Sequence, residues 1–275
     1  MESDYSDREI GIVQDDSRER LKAVQWKDLL QLGPRDVVHE MTLSLPWLLA
    51  SWVAAAYGQY VVALACSFMF FLTGLRQVHN AYHYALGIPR RSTEWFMGVF
   101  SVLMLGSMHA VQINHLRHHR HCMDDEDVEA MSARMPWWKA LLFGPLFPLL
   151  LHRKALQVGR PRQRRWILAE LAANLVWIGL VFGVLDWTWL QYHVVAMAIG
   201  QCLTAFFAVW LVHHGCEPGG VLARTVRGRA KAWLTYNMFF HIEHHLFPAV
   251  PTRRLPVLAE RIDRQRPDLA AKRVF

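Results

Sequence analysis

The chain has 275 residues, 53% of them hydrophobic, with twelve tryptophans, fifteen histidines and a formal net charge of +7. So apolar a composition excludes an ordinary water-soluble globule and a disordered polymer, and it favours a membrane protein. The charge does not indicate a nucleic-acid partner, because no Lys or Arg occurs in 41–75 or 166–223 and the thirty basic residues all flank these stretches, as the positive-inside pattern requires.

Residues 1–20 are polar, with no basic stretch leading into an apolar one, and are expected to form a flexible tail rather than a secretory signal. Residues 21–275 are expected to form one membrane domain. Within it, 21–32 has helical apolar spacing up to the break at Gly33-Pro34 and is expected to lie along the membrane surface. Four stretches, 37–57, 60–75, 166–185 and 189–212, are apolar enough to cross, since about 20 helical residues match a ~30 Å hydrocarbon layer. Gly58-Gln59 and Asp186-Trp187 supply the outer turns, whereas Arg76, Arg90, Arg91 and the basic run 160–165 mark the cytoplasmic side. Four spans put both termini in the cytoplasm. The basic run itself suits an acyl carrier's phosphate, an acidic electron donor or anionic lipid.

Three short histidine clusters punctuate this plan: His79 and His83 in HNAYH, His115, His118 and His119 in HLRHH, and His241, His244 and His245 in HIEHH. Positions i, i+3 and i+4 share one helix face, so each cluster converges its imidazoles. Neutral imidazole is the commonest ligand of iron, copper and zinc, and such crowding is costly on protonation unless a metal offsets it. A lone buried histidine is more often a hydrogen-bonded core residue. His39, His109, His152 and His193 lack partners at ligand spacing and are read that way, and His121 as a surface or hydrogen-bonding residue.

The clusters constrain the topology in turn. Residues 95–113 would pass for a span, but a crossing there would leave the first two clusters on opposite faces, about 30 Å apart. A re-entrant or interfacial helix is predicted instead, and 136–151, with Trp137, Trp138, Pro145 and Pro148, is predicted to be interfacial. The expected architecture is therefore all-α: a multi-pass protein with four transmembrane helices, interfacial helices and a cytosolic histidine-rich cap. Cys66, Cys122, Cys202 and Cys216 show no C-x-x-C spacing and are expected to be free thiols.

Eight or nine histidines exceed the four that satisfy zinc, and they suit two metals with positions left for dioxygen. In this order and with this span pattern, H-x-x-x-H, H-x-x-H-H and H-x-x-H-H resemble the membrane fatty acid desaturase family of desaturases, acyl hydroxylases and carotenoid ketolases. The resemblance covers roughly 28–258, with HIEHHLFP its most specific fragment. It implies a di-iron centre of two iron ions, dioxygen, an acyl or other lipid-chain substrate, and a separate electron donor such as a ferredoxin or a cytochrome b5-type protein. Carried over by position, it makes His79, His83, His115, His118, His119, His241, His244 and His245 iron ligands, with no catalytic residue beyond the ligands. A ninth ligand is expected in an L-x-H sequence at the cytosolic end of the fourth span, which gives His213, with His214 as rival. Val209 stands where stearoyl-type members carry an Asn; Asn80, Asn114 and Asn237 are candidate substitutes. Ring-orienting carboxylates are expected among Glu243, Asp124, Asp125 and Asp127. The function expected is oxygen-dependent desaturation of a fatty acyl chain. Acyl hydroxylation or carotenoid ketolation or hydroxylation is the alternative within the family. A histidine-rich metal transporter is the alternative from another class, although transporters place ligands near the midplane and only His193 lies clearly inside a predicted span.

Overall fold

The computed structural model describes residues 20–216 and 222–271. The polar tail expected over 1–20 therefore lies outside the described residues except for its last position. The segment 21–32, expected on the membrane surface, instead packs inward: Leu21, Val24 and Leu29 are buried against Phe240, Leu255, Leu258 and Ile262. Asp28 ties it down through a bidentate pair with Arg261. Its apolar spacing was real, but the surface it covers is protein rather than lipid.

The stretch 37–57, expected to cross as one helix, is divided into α1 (Pro34–Thr42) and α2 (Leu45–Ala56). Pro46 explains the break, since a proline ring collides with the carbonyl four residues back, here Thr42, and supplies no N–H to continue the ladder. Twelve residues of helix measure about 18 Å, so α2 alone is too short to cross. Gly58, at φ 71°, turns the chain into α3 (Tyr60–Tyr82), which packs along α2. α3 exposes Val61, Val62, Leu64 and Phe68 near its start and buries Arg76, Gln77 and Asn80 near its end. There Glu40 of α1 accepts hydrogen bonds from Arg76 Nη2 at 2.5 Å and Asn80 Nδ2 at 3.0 Å, and Thr252 donates to Asn80 Oδ1 at 2.6 Å. This buried network locks the histidine-bearing end of α3 to α1 and to the C-terminal cap.

α4 (Arg90–Leu103) and α5 (Met108–His121) meet at 113° across a four-residue break. Leu105 adopts φ 54° there, and the Ser107 hydroxyl caps α5 by accepting from Ala110 N–H. α4 starts shortly after His83, and α5 returns His115 to 5.1 Å from His83 between ring centroids. The pair thus enters and leaves on one side, the re-entrant arrangement expected for 95–113. The following interfacial stretch is also two helices, α6 (Trp137–Phe143) and α7 (Phe147–Val158), which expose Trp137, Leu142 and Leu149.

α8 (Pro161–Leu185) and α9 (Thr188–His213) are long and apolar enough to cross a membrane, as is α3. Both expose aliphatic side chains along their length, including Leu175, Val184, Val195 and Ile199, and therefore offer their flanks to lipid. A wide π-type turn over Ala205–Trp210 changes the phase of α9 just before His213. The cap adds α10 (Arg229–Leu234), α11 (His241–Leu246) and α12 (Leu255–Gln265). The protein is thus all-helical, with three spans among the described residues, or four if the bent α4–α5 pair is counted as one.

Candidate metal centre

Nine histidines from four helices, or just past the end of one, meet at one end of the bundle. His79 lies on α3, with His83 just past its end; His115, His118 and His119 lie on α5, His213 ends α9, and His241, His244 and His245 lie on α11. They divide into two groups of potential ligand atoms, each within 4.8 Å of one another: His79, His83, His115 and His244 form one, and His118, His213, His241 and His245 the other. His119 joins the first group, its Nε2 standing 3.1 Å from His115 Nε2 and 2.9 Å from His244 Nε2.

The second group closes on itself. Its Nε2 atoms run His118 to His213 at 3.1 Å, His213 to His241 at 2.9 Å, His241 to His245 at 3.2 Å and His245 back to His118 at 3.3 Å. A square of edge about 3.1 Å has a half-diagonal of about 2.2 Å, close to a metal–imidazole bond of ~2.0–2.1 Å.

Tautomers decide whether a cation fits there. His118 Nδ1 lies 2.7 Å from Asp127 Oδ2, and His213 Nδ1 lies 2.8 Å from the Leu222 carbonyl. Those oxygens only accept, so each Nδ1 carries a proton, and the inward Nε2 atoms are the ones left for a cation. A proton between His118 Nε2 and His213 Nε2, 3.1 Å apart in a buried site, joins the two rings, and a cation binding there displaces it. His115 is held alike, with Nδ1 donating to Glu129 Oε1 at 2.9 Å. His83 Nε2 is buried without any partner, a free donor atom facing the first group. The residues present therefore fit metal binding.

Electrostatics separate the rings: burial lowers His118, but Cys122 and Asp127 outweigh it and hold that ring well above the ordinary histidine range. Burial, reinforced by the neighbouring imidazoles, holds His241, His244 and His245 well below the ordinary histidine range and thus keeps them neutral. Burial of Asp127 acts to raise its pKa, but His118 and the backbone N–H groups of Met123 and Ala130 outweigh it and hold the carboxyl at about 2.

The expected carboxylates separate on inspection. Asp127 orients His118, whereas Asp124 pairs with His121 at the surface and Asp125 with Arg134. Glu243, inside the HIEHH motif, points away from the rings: it accepts from Thr225 Oγ1 at 2.8 Å and from Arg227 Nε at 2.7 Å. Burial raises its pKa, opposed by Arg227. It anchors the 225–227 segment rather than an imidazole, because i+2 from His241 lies on the opposite face of a helix. Asn237 occupies a left-handed turn at φ 61°, Asn80 bonds to Glu40 and Thr252, and Asn114 bonds to the carbonyls of Ala110 and Leu151. His214 stacks on Trp210 and donates to the Ala133 carbonyl, so α9 turns His213 inward and His214 away. Sequence reasoning missed Glu129, although it belongs to the same acidic stretch as Asp127. It also passed over His109, which pairs with Glu170 of α8 at 2.6 Å and stacks on Trp166. Glu170 also accepts from Ser107 Oγ and so clamps the start of α5.

Fold and site together define a multi-pass integral membrane protein with a buried histidine cage at one end of its helices. The fatty acid desaturase family model matches residues 42–274, most of the chain, and the chain belongs to that family. It is 28% identical to the human (Homo sapiens) sphingolipid delta(4)-desaturase/C4-monooxygenase DES2 over 66% of its own length and 57% of that protein's. It is 25% identical to the Xenopus tropicalis sphingolipid delta(4)-desaturase DES1 over 75% and 65% of the two chains, and 26% identical to the Drosophila melanogaster DES1 over 65% and 58%. The matched region thus spans 57% to 65% of these relatives' lengths.

Proposed function

We propose that this protein is an oxygen-dependent di-iron oxidoreductase that desaturates a fatty acyl chain. The observation that carries this reading is the pair of histidine groups at the end of apolar spans, one of four ring nitrogens and one of five with His119. Two irons held there would supply dioxygen activation for cleavage of an unactivated C–H bond. Two vicinal hydrogens leave the substrate, and dioxygen becomes two waters with two protons from solvent and two electrons, delivered one at a time by a separate donor such as a ferredoxin or a cytochrome b5-type protein.

The chain's own residues divide the remaining work. His79, His83, His115, His119 and His244 would hold one metal, and His118, His213, His241 and His245 the other. Asp127 and Glu129 fix the Nδ1–H tautomers of His118 and His115 and raise the basicity of the inward nitrogens. Near-complete burial of the cage excludes bulk water from the reacting centre. The basic flanks of the spans favour a cytoplasmic centre with both termini on that side, α1 and α2 together running the length of α3 from the Glu40–Arg76 contact to the Gly58 turn. Hydroxylation is the second reading, favoured because the human relative's name joins a desaturase with a C4-monooxygenase. A metal transporter is disfavoured, since the ligands sit at the ends of α3, α5 and α9 rather than at mid-span.

The test is to supply membranes containing the protein with labelled acyl lipids, dioxygen and a reductant. A product lighter by two hydrogens supports desaturation, and one heavier by an oxygen supports hydroxylation. No product with any lipid, at full iron occupancy, would overturn the proposal.

A further inference from the structure

Beside the second histidine group stands a sulfur with no part in holding the metals. Cys122 follows His118 by one helical turn and is 2% exposed, with Sγ 3.9 Å from His118 Nε2, the nitrogen turned into the cage. With His118 and Asp127 it forms a third group of potential metal-binding atoms, all within 4.8 Å of one another. The Leu222 carbonyl, 3.7 Å away, only accepts, so the thiol hydrogen points there. That leaves the sulfur lone pairs, the electrons an oxidant takes, on the side of His118.

Exposure and position rank the cysteines in opposite orders. Cys66, Cys202 and Cys216 are each half-buried, and a diffusing oxidant reaches them more readily than it reaches Cys122. An oxidant made inside the cage meets Cys122 instead. Cys66 precedes His79 on α3 by about 20 Å of helix, and Cys202 precedes His213 on α9 by about 16 Å. Cys216 lies past the turn that follows His213 and packs at the edge of the apolar cluster that encloses Cys122. Tyr82, with its ring centroid 5.7 Å from that of His115, has its hydroxyl committed to Met108 Sδ at 3.3 Å.

We propose that Cys122 is the side chain this centre oxidises when it consumes dioxygen without a lipid substrate. The inference rests on the di-iron reading above and adds a self-limiting reaction to it. In desaturation, dioxygen takes two electrons from the donor and two from the C–H bonds, and both oxygens leave as water. Without a lipid, the donor's two electrons and two protons carry one oxygen to water. Sulfur supplies the other two electrons and keeps the second oxygen, so that S–H becomes S–O–H. A thiol reductant returns this sulfenic acid to the thiol, whereas a further oxygen makes the sulfinic acid and the change permanent. An added oxygen crowds the inward nitrogen of His118, so the modified centre is expected to lose turnover.

The test uses the full-length protein in nanodiscs, loaded with iron and given dioxygen and a reductant but no lipid. A sulfenic-acid-selective trap and peptide mass spectrometry then read each cysteine. Cys122 is expected to take the trap first, and with isotopically heavy dioxygen its sulfinic product is expected to carry the label. Iron-free protein given hydrogen peroxide is expected to show the reverse order, the half-buried cysteines ahead of Cys122. A lipid that is turned over is expected to suppress the modification. Cys122→Ser is expected to keep the iron-to-protein ratio, lose the modification and slow the decline of dioxygen consumption. Dioxygen consumption that leaves Cys122 a thiol would overturn the proposal, as would oxidation of Cys122 ahead of the others without iron, or at an unchanged rate during lipid turnover. Iron-dependent oxidation of Cys122 in a protein that alters no lipid would instead count against the desaturase reading alone. Lipid turnover with Cys122 untouched in the lipid-free run would count against this inference alone.

Discussion

Replacing Asp127 by Asn removes one oxygen acceptor and one charge from behind His118 without changing shape. Three donors meet the native carboxylate: His118 Nδ1 at 2.7 Å and Met123 N–H at 2.9 Å on Oδ2, and Ala130 N–H at 3.1 Å on Oδ1. An amide offers one acceptor oxygen and an NH2 group, so in either orientation a donor faces a donor, at a cost of about 1–3 kcal/mol in a buried site. If the amide turns its NH2 to the ring, His118 gives up the Nδ1–H tautomer and its inward lone pair. Loss of such a ring-orienting partner weakens metal binding about 10- to 100-fold. Asp127→Asn should therefore shift the midpoint of a chelator competition, read as metal per protein by mass spectrometry, by that factor. The carboxyl is held at about 2, so the native protein keeps the anion throughout any workable pH. Asp125→Asn, two residues away but at the surface with Arg134, should leave the midpoint alone. Unchanged affinity in Asp127→Asn, or an equal loss in Asp125→Asn, would refute the reasoning.

Other substitutions test other joints of the structure. His213→Ala should lose metal and activity, whereas His214→Ala, which forfeits only a stack on Trp210 and a bond to the Ala133 carbonyl, should keep its metal and lose a few degrees of thermal midpoint. Glu170→Ala strands the Ser107 hydroxyl and the His109 ring N–H in a buried setting, a loss of about 3–5 kcal/mol that differential scanning fluorimetry in detergent should detect; an unchanged midpoint would sink the clamp. Gly144→Ala places a Cβ 1.8 Å from the Cys202 carbonyl oxygen. Neither partner is a side chain that can rotate away, so α6 and α9 must part, at about 1–3 kcal/mol or more, seen as lowered yield and thermal midpoint.

What was legible in the sequence was whatever depends on spacing within one helix. The i, i+3, i+4 rule placed His115, His118 and His119 on one face of α5, and the requirement that clusters meet predicted the return of 95–113 to its starting side. What escaped depends on contacts between segments. The choice of His213 over His214 follows the π-type turn at Ala205–Trp210, which ordinary helical periodicity does not register. Glu129 reaches His115 only because the chain after α5 folds back through a 3-10 turn, Glu129–Arg134. The inward packing of Leu21 and Leu29 needed knowledge of the apolar face on α12, and amphipathic spacing alone does not distinguish protein from lipid as its cover. The division of 37–57 was within reach, since Pro46 carries its own steric rule.

The central claim is that distant parts of the chain jointly hold two metals in groups of five and four histidines. Iron per chain in the purified protein, followed by Mössbauer spectroscopy, tests it most directly. About two irons per chain is the predicted result, falling in His118→Ala and in His244→Ala alike, with the two sites resolved as distinct nitrogen-rich environments. Full turnover with one metal or none per chain, or with both variants retaining their iron, would contradict the account.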